Sequence, residues 1–120
     1  MNYKTLLSLS AFSLFLVFAA GSGDDRTPEQ KAKDDCEDTT MAYIMSQSFV
    51  EKRLKSPSTA DFPYAHDEGV TISYQGECKH KIWAYVDAQN SFGAKIRTKY
   101  YAEVQNEYGT DTWRLLDLQM

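Results

Sequence analysis

Proline and glycine are scarce, three and six in 120 residues, which excludes collagen-like and linker-only chains. Positive charge is in deficit as well. Thirteen Lys and Arg stand against 17 Asp and Glu, a formal charge of −4, and phosphate binding draws on clustered cations, so a general nucleic-acid binder is excluded. Catalytic signatures are missing: there is no G-x-S-x-G, H-E-x-x-H, C-x-x-C or phosphate-cradling glycine loop. The two cysteines lie too far apart in sequence to supply the paired ligands of a zinc site. No metal or cofactor is therefore expected, and the chain is read as non-enzymatic. With 42% hydrophobic and 25% charged residues, what remains is the composition of one ordinary globular domain.

The only long apolar run, Leu6 to Ala20, follows Lys4 and precedes Gly21, Ser22 and Gly23. It is shorter than the roughly 20 residues a spanning helix needs and carries three serines, so residues 1–22 read as a secretory signal peptide rather than an uncleaved anchor. Small residues at the −3 and −1 positions fit a cut after Ala19, Gly21 or Ser22. A lipoprotein signal needs a cysteine at the cut. Gly21 stands in that place and the first cysteine is Cys36, so lipid anchoring is not expected. The predicted location is periplasmic or secreted.

Residues 23–38 hold seven acidic and three basic side chains and no large apolar group, the pattern of an acidic flexible tether. The domain proper is expected over 39–120. In an oxidising compartment Cys36 and Cys78 form the one possible bridge. The loop it closes corresponds to about 4 kcal/mol of unfolded-state entropy. Two free thiols are the alternative.

Asp38, Thr39 or Thr40 can cap a helix running to about Leu54, with Ala42, Met45 and Phe49 as its apolar stripe and Tyr43, Val50 and Leu54 beside it. Ser56-Pro57 ends it. Residues 58–69 read as an irregular connection pinned by Phe62 and Tyr64. From Val70 onward the period is two, giving strands near 70–74, 78–88, 94–105 and 112–118. Pairing Tyr74 with Cys78, Ala88 with Ala94 and Gln105 with Thr112 keeps one face apolar: Val70, Ile72, Tyr74, Ile82, Ala84, Val86, Ile96, Tyr100, Ala102, Val104, Trp113 and Leu115. The other face then sets Asp87 opposite Lys95, Tyr85 opposite Arg97, Trp83 opposite Lys99, and Lys81 opposite Tyr101. It also sets Glu103 opposite both Lys79 and Arg114. The predicted fold is α+β, one N-terminal helix packed on a four-stranded antiparallel β-meander, cystatin-like in outline.

Two segments carry a further resemblance: Lys55 to Pro63 (KSPSTADFP) and Tyr85 to Ala94 (YVDAQNSFGA), with Arg97 after them. They are similar to a family of small exported bacterial proteins and lipoproteins in which a helix, this stretch and this hairpin follow one another. The resemblance implies the compartment and a domain extending over roughly residues 42–118. It implies no activity.

Among chemically tempting groups, His80, Asp87 and Ser91 do not form a triad, because parity puts His80 on the core face and Asp87 on the other. His80 reads as a hydrogen-bonded core histidine. His66, Asp67, Glu68 and Asp61 read as a solvated cluster. In the Gln89-to-Gly93 turn, Asn90 and Gly93 answer to backbone geometry, whereas Phe92 either folds over the core or is presented to a partner. The outer face is the stronger binding candidate: Trp83, Tyr85, Tyr101, Leu116 and Leu118 lie among Lys79, Lys81, Lys95, Arg97, Lys99 and Arg114. The expected function is an exported, non-enzymatic binding or inhibitory module of the cell envelope. Its partner would be acidic: a protein patch, a glycan or a lipid headgroup. The alternative is a structural or assembly protein that forms a homodimer through the same face.

Overall fold

The computed structural model describes residues 25–120; the predicted signal segment lies outside the described residues. The elements run α1 (Pro28–Glu37), α2 (Thr39–Glu51), a 3-10 turn (Pro57–Thr59), β1 (Thr71–Gly76), β2 (Lys79–Gln89), β3 (Lys95–Asn106) and β4 (Trp113–Gln119). The strands form one antiparallel sheet in the order β1-β2-β3-β4, and α2 packs against all four. This is the α+β arrangement of a helix on a four-stranded meander.

The segment read as a flexible tether is helical from Pro28 onward. Thr27 accepts a hydrogen bond from the Gln30 amide at 3.1 Å, and the Gln30 side chain accepts one from the Thr27 amide at 3.0 Å, closing a capping box with Pro28 as the first helical residue. Lys31 pairs with Asp35 one turn on, at 3.0 Å. Charge density masked these signals, because only Ala32 and Cys36 of α1 are buried. Asp38 then closes α1 and caps α2 through the Met41 amide at 2.9 Å, its own backbone extended at ψ 99°.

Helix α2 buries Ala42, Tyr43, Ser46 and Val50, a stripe rotated from the expected Ala42-Met45-Phe49 line, whose last two members are half-buried. Fully buried Ser46 is accommodated because its hydroxyl donates to the Tyr43 carbonyl at 2.6 Å. The helix stops at Glu51, and Arg53 and Leu54 continue only as turns. Beneath it lie Ile82, Val86, Val104, Ala102 and Tyr100 of the central strands.

All three hairpins differ in register from the expected pairing, and the reasons differ. In β1–β2, Tyr74 faces His80 rather than Cys78: the two-residue primed turn of Glu77 and Cys78, both at positive φ (54° and 62°), pairs Gly76 with Lys79, and a bulge at Gln75 then brings Tyr74 opposite His80. In β2–β3, Ala88 faces Ile96, because the five-residue loop is 90–94: Asn90 Oδ1 accepts from the Phe92 and Ala94 amides at 2.9 and 3.0 Å. Both are two-residue slips. A slip of two preserves which face each side chain occupies, so the faces were right while the partners were not. In β3–β4, Glu103 faces Asp117 and Val104 faces Leu115, leaving Leu116 as the extra residue of a bulge. One extra residue inverts parity, so Leu118 belongs to the core and not to the outer face.

Two further positions depart from expectation. Tyr64 does not pin its loop: it is exposed, and the anchoring is done by half-buried Phe62, by the Tyr43 hydroxyl donating to the Pro63 carbonyl at 2.7 Å, and by a bridge between Asp61 and Asp87 that extends the β2 edge. Ile96, assigned to the core face, is 47% exposed, because it lies beyond the end of α2. The bridge between Cys36 and Cys78 is present, with Cα atoms 4.6 Å apart, and joins the end of α1 to the β1–β2 turn. Among the described residues, no helix is long and apolar enough to cross a membrane.

Candidate binding face

The sheet face turned away from α2 is built by the alternating residues of β2 and β3. Trp83 and Tyr101 are direct cross-strand partners with ring centroids 5.3 Å apart and planes tilted by 47°. Trp83 stays 44% exposed, a flat aromatic surface in the middle of the sheet. Lys81 precedes it on the same face and Lys99 lies diagonally across on β3, opposite Tyr85. Neither lysine takes part in an ion pair among the described residues.

Arg97 is placed differently from the sequence expectation. It faces Asp87 and grips its carboxylate through Nε at 2.8 Å and a terminal nitrogen at 3.0 Å, while its guanidinium carbon lies 4.0 Å from the centre of the Tyr85 ring. The expected contact between Tyr85 and Arg97 exists, but as a diagonal stack. The guanidinium holds the Asp87 carboxyl below its ordinary range, and Asp87 in turn raises Arg97. Arg97 therefore orders Tyr85 more than it offers charge. Gly69 closes this corner: a Cβ there would meet the Tyr85 ring at 2.9 Å, and its φ of +91° excludes most side chains independently.

The acid content of the face is higher than the strand pattern alone suggested. Loss of hydration, and after it the Glu103 carboxylate that accepts from the Tyr101 hydroxyl at 3.1 Å, raises the phenol above its usual range. Arg114 donates to Gln105 at 2.7 Å rather than meeting Glu103, and Asp117, displaced by the bulge, takes that place. Lys79, Lys81, Lys95, Arg97, Lys99 and Arg114 thus share the face with Asp87, Glu103 and Asp117. The balance is still positive, opposite in sign to the chain as a whole.

Asn90 and Phe92 are not part of this face. They form the β2–β3 tip, about 20 Å along β2 from Trp83 at the usual strand rise. Phe92 is 93% exposed and does not fold over the core. His80 and Asp87 lie on opposite faces of the sheet, His80 fully buried with its Nε2 2.9 Å from the Cys36 carbonyl. Among the described residues, no three His, Cys, Asp or Glu side chains gather as a metal ion requires.

Sequence reasoning missed a groove of about 500 Å³ between α2 and the 62–66 loop, lined by Tyr43, Ile44, Gln47, Phe62, Tyr64 and His66. Ile44 standing outside the core stripe was its only trace. Compared with known proteins, the chain matches no family model, no curated protein and no solved structure.

Proposed function

We propose that this chain is an exported, non-enzymatic binding module of the cell envelope whose outer sheet face takes an anionic partner. The observation that carries the reading is the Trp83–Tyr101 pair, Trp83 exposed and Tyr101 half-buried, flanked by Lys81 and Lys99. A tilted aromatic pair offers apolar area at little entropic cost, and two neighbouring ammonium groups supply attraction for an acidic surface. Apolar side chains in the middle of an uncovered sheet face are otherwise unfavourable. The alternative, self-association through the same face, is disfavoured by its charge, since stacking two copies brings like-charged lysines together.

The test is a titration with a sulfated oligosaccharide and with an acidic peptide, read by tryptophan fluorescence. At least one probe should bind, weaken as salt rises, and lose most of its affinity in Trp83→Ala and in Lys99→Glu. Binding indifferent to both substitutions would remove this face. A concentration-dependent dimer in sedimentation, abolished by Trp83→Ala, would replace the reading with self-association.

A further inference from the structure

The tip of the β2–β3 hairpin is where an exposed aromatic residue is least explained by the fold. Phe92 is 93% exposed, yet its backbone is held: Asn90 Oδ1 accepts from two amides, the Asn90 amide donates to the Ala94 carbonyl at 2.9 Å, and Gly93 turns the chain at φ +81°. A polar turn residue would satisfy that geometry equally well. Ile96, 47% exposed, adds apolar surface at the same end of the molecule.

Cations surround this apolar end. Arg53 and Lys55, which follow α2, line a shallow groove with Ile96 and Asn90, and Lys95 begins β3 beside the tip. Nearby acids are Asp61, which reaches Lys95 only at 3.7 Å in an exposed pair, Asp87, which attracts Lys95 but is already gripped by Arg97, and half-buried Glu51 on α2. Such a loose pair holds Lys95 weakly. An apolar tip with a ring of cations is complementary to a surface that is anionic outside and apolar within. A bilayer of acidic phospholipids has that structure, whereas an acidic protein patch offers nothing for Phe92 to enter.

We infer that the β2–β3 tip docks the protein onto an anionic lipid surface, Phe92 entering the headgroup layer while Arg53, Lys55 and Lys95 meet lipid phosphates. Fixed beforehand by Asn90, the tip loses little freedom on insertion. Of these residues only Lys95 also borders the outer sheet face, at its far end from Trp83.

Cosedimentation of the protein recovered after export, with vesicles of phosphatidylcholine alone or mixed with phosphatidylglycerol, tests it. Binding should require phosphatidylglycerol and fall with salt. It should drop about fivefold for each cation neutralised in Arg53→Gln, Lys55→Gln and Lys95→Gln, and about tenfold in Phe92→Ser. Trp83→Ala should leave it unchanged. In Phe92→Trp, a quencher attached to the lipid should reduce emission beyond the wild-type response. Equal binding to both vesicle types, or none to either, would overturn the inference. Insensitivity to Phe92→Ser and to the cation substitutions would do the same, as would loss of vesicle binding in Trp83→Ala, which would move the contact to the outer face.

Discussion

His80 is fully buried between Tyr74 and Trp113, ring centroids 5.0 and 5.5 Å away, with Nε2 directed at the Cys36 carbonyl and Nδ1 lacking a partner among the described residues. A carbonyl only accepts, so the proton of the neutral ring sits on Nε2. Burial lowers its pKa below the usual histidine value, overriding the opposing effects of the Cys36 carbonyl and Asp38. The native state therefore binds fewer protons than the unfolded chain, and stability rises with pH across the window. The contribution is fully present above about pH 6.5 and is lost as pH falls toward the depressed native value. Urea unfolding between pH 8 and 5 should show this loss, and His80→Gln should remove that part of the slope. That His80 faces the core was legible from alternation. Its contact with Cys36 was not, because it depends on where α1 ends in space.

Helix α1 is the element most dependent on a single covalent link. Its polar surface is large, only Ala32 and Cys36 are buried, and the bonds joining its end to the sheet converge on one place: the bridge to Cys78, the His80 contact, and the Tyr74 hydroxyl 3.6 Å from Cys36 Sγ. An isolated ten-residue helix is marginal in water even with a capping box. Replacing both cysteines by serine should cost about 3–4 kcal/mol in denaturant unfolding. It should also selectively unprotect the amides of residues 28–37 in hydrogen exchange, while those of β2 and β3 remain the slowest. Equal loss of protection throughout would mean that α1 is not a separately released unit. The register slips belong to this scale too. Alternation assigned nearly every side chain to its face, but Asn90 capping its own loop, and the left-handed Glu77–Cys78 turn together with the bulge at Gln75, chose the partners.

At the scale of the whole molecule, one core joins α2 to all four strands, and Phe62, Ala65 and Val70 of the connecting loop pack against it. With the bridge intact, thermal unfolding should be a single transition: far-ultraviolet dichroism, reporting the helices, should coincide with the fluorescence of Trp83 and Trp113 in the sheet. Separate midpoints would show that the helices and the sheet melt independently. The two proposed contact regions lie one on the sheet face and one at its end and share only Lys95, so Trp83→Ala should leave the tip intact and Phe92→Ser should leave the sheet face intact.

The linear sequence determined the quantities that depend on near neighbours and on counting: the period-two and helical patterns, the pairing of the only two cysteines, and the gathering of Trp83, Tyr85, Lys99 and Tyr101 on one face, whereas the helix ends at Glu51, ahead of the expected stop at Ser56-Pro57. Tertiary structure decided what depends on exact register and on distant chain. The Leu116 bulge turned Leu118 inward, Asp87 bound Arg97, Phe92 was left in solvent, and Arg53 and Lys55 were carried to the hairpin tip. The reason is that strand pairing is nearly degenerate under a shift of two residues as far as burial is concerned. Hydrogen bonds within the turns and a single inserted residue therefore settle which side chains meet.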